Sequence, residues 1–252
     1  MDTFEEQYNR VQPALKKWIS FLLLGKKLEV RNPGNFVAGG PTLIVGNHCG
    51  AARDVAVVLS IVPRPVYFTA NSEIFSQEAF DSLIRRYLLR HLGEFGLTVN
   101  ALVKPLKMSF IRFVSTNINK VGSIPVDLKS GKMETRRRIQ EYLEKGRAVI
   151  ALQGRGHVFP RDPHPYVSRF RPGTSAIAYS LFEEFGVSVP VTPLAIFGTQ
   201  KPWLVPATIR VSVGEPMYVG DFVRGSSNEV VERFRRALEA RVKALFLDLI
   251  RD

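Results

Sequence analysis

The chain has 252 residues, 45% of them hydrophobic and 23% charged, a globular composition that excludes both a disordered polymer and a bundle of membrane spans. Its single cysteine, Cys49, rules out an intrachain disulfide and a zinc site built on paired cysteines. Thirty-five Lys and Arg against 23 Asp and Glu leave a net charge of +12, which implies an anionic partner: a nucleic acid, a membrane surface, or a phosphorylated or CoA-like substrate.

The opening Met1-Asp2-Thr3-Phe4-Glu5-Glu6 is acidic where a secretory signal is basic, so a reducing compartment is expected. Phe4, Tyr8, Val11, Leu15, Trp18 and Leu22 then recur every three or four residues as one apolar helical stripe, with Lys16, Lys17, Lys26 and Lys27 on or beyond it. Pro13 is expected to split this segment into two short helices. Its apolar run falls short of the ~20 residues a membrane span needs, so it either lies on a membrane or packs on the domain that follows. We therefore divide the chain into residues 1–27, an N-terminal amphipathic helical segment, and residues 28–252, an α/β domain.

Apolar, often β-branched runs at 42–46, 65–69, 122–126, 148–152, 188–196 and 207–213 read as strands. Helical patterns lie between them: Phe75, Ala79, Leu83 and Tyr87 mark one, 133–145 ended by Gly146 another, and 174–185 ended by Gly186 a third. The last helix opens with a Ser226-x-x-Glu229 capping box and carries Val230, Phe234, Leu238, Val242, Leu245 and Leu249 along one face. The expected fold is a single α/β domain with a mixed, largely parallel central sheet flanked by helices, preceded by the N-terminal amphipathic segment.

Residues 83–120 hold seven basic side chains (Arg85, Arg86, Arg90, Lys104, Lys107, Arg112, Lys120) and one acid, Glu94, so 38 residues carry +6, half of the total. The same stretch contains Leu97, Leu102, Leu106, Phe110, Ile111 and Phe113. Two readings stand: a bilayer interface, where cations meet headgroups and apolar groups enter the acyl region, or a core element with a solvated charged rim.

The run Asn47-His48-Cys49-Gly50-Ala51-Ala52-Arg53-Asp54 directly follows the first apolar strand, placing a histidine and a carboxylate where strand gives way to turn and helix. An imidazole can take a proton from a hydroxyl, and a carboxylate on its other nitrogen fixes the tautomer and steadies the imidazolium. Cys49 reads as a small buried apolar group, because adjacent side chains of an extended chain face opposite ways. His157 and His164, separated by Pro160 and Pro163, have no third ligand placed to make a metal site. Neither a Gly-x-Ser-x-Gly elbow, a Gly-Lys-Ser/Thr phosphate loop nor a basic-aromatic nucleic-acid module is present.

Four stretches in order resemble the four sequence blocks of the glycerolipid acyltransferases, the 1-acylglycerol-3-phosphate acyltransferase superfamily. They are Asn47-His48 with Asp54, Gly122-Ser123-Ile124-Pro125-Val126-Asp127, Leu152-Gln153-Gly154-Arg155, and Val189-Pro190-Val191-Thr192-Pro193-Leu194. Phe170-Arg171-Pro172-Gly173-Thr174 is similar to the family's basic-Gly turn, and Val211-Ser212-Val213-Gly214-Glu215-Pro216 to its strand ending in Gly-Glu-Pro. Three departures accompany the match. His48 and Asp54 are separated by five residues where the family has four, Asp127 is followed by Leu128 and Lys129 instead of Arg, and Gln153 replaces a Glu with Arg155 one place early. The extra residue of the first block is expected to be absorbed as a bulge beside Gly50, which keeps the His48–Asp54 contact.

The resemblance implies transfer of a fatty acyl group from acyl-CoA or acyl-carrier protein to a hydroxyl of a glycerol-phosphate or lysophospholipid acceptor, with no cofactor and no metal. His48 is then the general base and Asp54 its orienting acid. Lys129 and Arg155 are candidates for holding an anionic headgroup, Gln153 for orienting the acceptor, and Gly154 for close backbone approach. The implied partners are an anionic membrane surface, the thioester donor and the acceptor, without nucleic acid, and the implied location is peripheral on the cytoplasmic face. The changed third block leaves two alternatives open: a catalytically weak relative that binds lipid, or an enzyme for a non-glycerolipid acceptor.

Overall fold

In chain order the computed structural model runs α1 (Phe4–Leu22), β1 (Lys26–Arg31), β2 (Thr42–His48), α2 (Ala52–Ile61), β3 (Val66–Asn71), α3 (Gln77–Leu92), α4 (Phe95–Leu102) and α5 (Lys104–Asn117). It continues with β4 (Ser123–Val126), α6 (Lys132–Glu144), β5 (Ala148–Gly154), α7 (Gly173–Phe185), β6 (Val191–Phe197), β7 (Ala207–Val213) and α8 (Ser227–Arg251). The structure describes residues 4–120, 122–126, 132–203 and 205–251. The six strands expected from the sequence are all present, with ends displaced by three residues at most.

Two local expectations are corrected. Helix α1 runs unbroken through Pro13. A proline removes one backbone donor from the helical ladder, and here the chain on either side stays helical without it. Lys26 and Lys27, assigned to the cationic end of the N-terminal segment, instead begin β1, so the boundary expected after residue 27 falls inside a strand. In Lys-Lys-Leu-Glu-Val-Arg only Leu28 and Val30 are apolar, a pattern short enough to be hidden by the charges around it.

The fold is α/β with a mixed, largely parallel sheet, and it divides into two units. The larger comprises Gln12–Tyr67 and Arg136–Asp252. In it β1, β7, β6, β2 and β5 lie side by side in that order. β2 runs parallel to both β5 and β6, β1 runs parallel to β7, and β6 and β7 are antiparallel. Leu43, Ile44 and Val45 of β2 and Leu194, Ala195 and Ile196 of β6 are essentially inaccessible, which explains their uninterrupted apolar sequence: a central parallel strand is covered on both faces. Each fully buried aliphatic side chain of this kind contributes about 1.5–3 kcal/mol relative to exposure.

Helix α8 buries Val230, Phe234, Leu238, Val242 and Leu249, the face read from the sequence. Its capping box forms, with the Ser226 backbone N–H donating to Glu229 Oε2 at 2.8 Å. The same helix carries buried Arg235, which donates to Glu232 and Glu239 and to the Phe170 carbonyl. Glu239 in turn accepts from the Phe170 N–H at 2.9 Å, so α8 grips the loop before α7 from both sides of one peptide residue. The C-terminal half of α1 is pinned in this unit as well: Trp203 donates from Nε1 to the Phe21 carbonyl at 2.8 Å, and its ring lies 4.4 Å from that of Phe21.

The smaller unit contains Phe68–Thr135 with α1 up to Val11. There the rest of β3 pairs in parallel with β4, from Phe68 opposite Ser123 to Asn71 opposite Val126. The basic stretch that the sequence left as one block resolves into three helices joined by very short turns, with Gly93 at φ 57° and ψ −143°, a conformation open to glycine, ending α3. Phe80 and Ile111 are core, and Lys107 is buried with its ammonium on Asp81 at 2.5 Å and Asn100 at 2.7 Å. Among the described residues no helix is long and apolar enough to cross a membrane.

Candidate active site

β2 delivers His48 at its C-terminal end, and the chain then turns back through Gly50–Arg53 into α2. The Arg53 N–H donates to the Gly50 carbonyl at 3.2 Å, and Ala51 has φ 52° and ψ −128°, the first central position of a type II′ turn. That position favours glycine, so the extra residue of the first block is absorbed with backbone strain at Ala51, beside Gly50. The turn sets Asp54 in the first turn of α2, facing back towards the strand end.

His48 Nδ1 donates to Asp54 Oδ2 at 2.9 Å. The carboxylate is fully buried, whereas the imidazole is 23% exposed. Asp54 is held by two further donors: the Gly50 N–H on Oδ2 at 2.7 Å and the Thr199 hydroxyl on Oδ1 at 2.5 Å. A buried carboxylate with three donors is satisfied and fixed in orientation. It leaves His48 in the tautomer whose Nε2 carries a lone pair, and among the described residues no hydrogen bond reaches that nitrogen.

Glycines shape the space around the ring. Parallel register sets Gly154 of β5 directly opposite His48, so close that a side chain there would begin 2.5 Å from the His48 carbonyl oxygen. Gly156, at φ +75°, lies beside Nε2, and a Cβ at this position would come within 3.4 Å of it. Gly156 was not singled out by sequence reasoning, although it belongs to the same Gln-Gly-Arg-Gly run. Its missing side chain leaves room beside the basic nitrogen for an incoming hydroxyl.

The remaining expected residues fall as follows. Arg155 is exposed on the loop directly after Gly154, its guanidinium carbon 5.9 Å from the Phe159 ring centroid. Gln153 is buried and turned away from solvent. Its Oε1 accepts from the Arg171 N–H at 3.0 Å, and its Nε2 donates to the Thr174 hydroxyl at 3.3 Å. The amide is thus engaged with Arg171 and with the first turn of α7, and in this geometry it braces the 170–174 loop. Lys129 lies outside the described residues. Removing the brace in Gln153→Ala takes a partner from the part-buried Arg171 N–H and from the buried Thr174 hydroxyl and is expected to destabilise the fold by about 1–2 kcal/mol, measured by urea unfolding; an unchanged midpoint would deny Gln153 that role.

Two more residues complete the site: Thr199, which the sequence did not point to, and Asn47, which it named only as a neighbour of His48 in the first block. Thr199, in the loop after β6, fixes Asp54 from 145 residues away in the chain. Asn47, fully buried, accepts from the Ile196 N–H at 2.8 Å and donates to the Ile196 carbonyl at 2.9 Å, continuing the β2–β6 pairing through its side chain. Asn47 thereby aligns the strand end that leads to Thr199. Cys49 is buried, and burial first, then the Asp54 charge, push its thiol up to about 12. Such a thiol stays protonated and does not act as a nucleophile.

No family model and no curated protein sequence matches the chain. In fold it is similar to the 1-acyl-sn-glycerophosphate (LPA) acyltransferase PlsC from Thermotoga maritima, a crystal structure that covers 97% of this chain and 84% of its own with a TM-score of 0.55 and 20% identity. The likeness is one of fold, and it is the fold that the four sequence blocks imply.

Proposed function

We propose that this chain is a glycerolipid acyltransferase that works at a membrane surface, with His48 as the general base. The observation that carries the reading is the His48–Asp54 pair, 2.9 Å apart, with Nε2 beside the empty flank of Gly156. The fold similarity to an LPA acyltransferase and the ordered sequence blocks support the same reaction class.

The chemistry follows from the pair. The donor, acyl-CoA or acyl-carrier protein, presents a thioester that is already activated, so no enzyme nucleophile is required. The acceptor hydroxyl, on glycerol phosphate or a lysophospholipid, passes its proton to His48 Nε2 as its oxygen attacks the thioester carbonyl. Asp54 stabilises the imidazolium that forms. The tetrahedral intermediate then collapses, the C–S bond breaks, and the departing sulfur takes the proton from His48. An ester and a free thiol result, with His48 restored. Arg155 and Lys129 supply cations for the acceptor's phosphate. No cofactor takes part, and the cytoplasmic membrane face is the place of action.

The test is an acceptor screen of the purified chain with radiolabelled acyl-CoA and acyl-carrier protein against glycerol 3-phosphate, lysophosphatidate, and neutral and amine-bearing lysolipids. Labelled monoacyl product from glycerol 3-phosphate, or labelled diacyl product from lysophosphatidate, is the expected result. Label on an acceptor without a glycerol backbone would move the enzyme to a different substrate class. Vesicle binding without turnover on any acceptor would make the chain a lipid-binding relative in which the changed third block has disabled the site.

A further inference from the structure

The apolar residues of the basic stretch divide sharply by position. Phe80 and Ile111 form core, but Leu92 at the end of α3, Phe95 and Leu97 at the start of α4, Leu102 at its end and Leu106 in the first turn of α5 are exposed. Phe95 is 66% and Leu102 81% accessible. Single exposed apolar side chains are ordinary, whereas five large ones within 15 residues, gathered on three short helices that pack on one another, form a surface water does not favour. Among its described side chains helix α1 presents no comparable surface: Val11 of its stripe is buried and Tyr8, Leu15, Trp18 and Leu22 are partly covered.

Charge identifies what covers the exposed face. Arg85, Lys104 and Arg112, on α3 and α5, are exposed, and Glu94 is the single acid between residues 83 and 120, while Lys107 and Arg86 of the same stretch are paired with Asp81 and Glu73. A second copy of this chain would bring the same positive charge face to face with itself. An anionic bilayer answers both features, with phosphates for the cations and acyl chains for the leucines and phenylalanine.

We propose that the α3–α4–α5 connections, led by Phe95 and Leu102, are the element that inserts into the headgroup–acyl boundary of an anionic membrane. This rests on the membrane-surface reading above and, of the two segments for which the sequence offers a membrane contact, assigns the anchoring role to residues 92–106. The ion pair of buried Lys107 with Asp81 and the Phe80–Phe110 ring contact, at 5.8 Å, stiffen the base of this element so that the exposed side chains are presented together.

The test uses the full chain and vesicles made either of phosphatidylcholine alone or of equal parts phosphatidylcholine and phosphatidylglycerol, with binding read by co-sedimentation. Wild type is expected to prefer the anionic vesicles. Phe95→Asp combined with Leu102→Asp is expected to weaken partitioning by about tenfold for each side chain removed from the bilayer. Lys104→Glu with Arg112→Glu is expected to weaken binding to anionic vesicles alone, by about fivefold or more per charge. Both variants keep the wild-type circular dichroism spectrum and turnover on a water-soluble short-chain acceptor. Wild-type binding by the aspartate variant overturns the proposal, as does an absence of wild-type binding to either vesicle. A dimer that the aspartates convert to monomer, with vesicle binding unchanged, also overturns it and makes this face an interface between copies. Turnover on the soluble acceptor with vesicle binding indifferent to the aspartates sinks only this proposal; vesicle binding lost with the aspartates, without turnover by wild type, sinks only the acyltransferase reading.

Discussion

His48→Ala is expected to lower acyl transfer by about 10²–10⁴-fold, the range that a positioned general base contributes, while the protein remains folded. The two effects separate because of how Asp54 is held. Deleting the imidazole takes one donor from the buried carboxylate, but the Gly50 N–H at 2.7 Å and the Thr199 hydroxyl at 2.5 Å remain. The acid stays hydrogen-bonded on both oxygens, so the loss of stability is limited to about 1–2 kcal/mol. The loss is expected in kcat with KM little changed, because in the proposed mechanism the ring acts on the reacting proton and takes no part in holding the acceptor. Initial rates with saturating donor and a lyso-acceptor, set beside a thermal melt, decide the matter. A variant within a few-fold of wild type would remove His48 from the mechanism.

Asp54→Asn is expected to cost about 100-fold in kcat, again with near-normal stability, and it isolates charge from geometry. With its amide oxygen towards His48 and Gly50, the asparagine accepts both N–H donors as Oδ2 does now. Its amide nitrogen then meets Thr199, whose hydroxyl can turn to accept instead of donate. Every bond is preserved and the histidine keeps its tautomer. What disappears is the negative charge opposite the imidazolium, in a place sheltered from water where that charge acts strongly. Adding Thr199→Val to this variant should then cost far less activity than Thr199→Val does in the native background, because the hydroxyl serves an acid that is no longer there. A wild-type rate for Asp54→Asn would mean that the carboxylate only positions the ring.

The sequence made the local parts of this molecule legible and hid the distant ones. β2 and β6 are read directly from Leu43-Ile44-Val45 and Leu194-Ala195-Ile196, since burial on both faces leaves no room for polar residues. His48 and Asp54 are six positions apart, and a strand, a turn and a helix bring them together without help from elsewhere. Thr199 carries no comparable signal, and Asn47 is marked only by its place beside His48, with nothing to show what it does. A threonine in a loop and an asparagine at a strand end are ordinary until tertiary pairing places them on Asp54 and Ile196, 145 and 149 residues away. Gln153 was read by position in its block, and its partners Arg171 and Thr174, 18 and 21 residues further on, are fixed only when α7 docks. The exposed face of α3–α5 was half legible: charge and apolar content were plain in the sequence, and their distribution between core and surface required the helices to be packed.

The Thr199–Asp54 bond gives the site a timetable. A chain emerging from the ribosome displays His48 and Asp54 early, and β5 can lie against β2 before β6 has been made. Until β6 is inserted and Asn47 has seized Ile196, nothing fixes the second oxygen of the acid, and the dyad swings on a short turn strained at Ala51. Competence for proton transfer thus arrives with one of the last strands to be synthesised, and a nascent fragment holding both members of the pair remains an unfinished base.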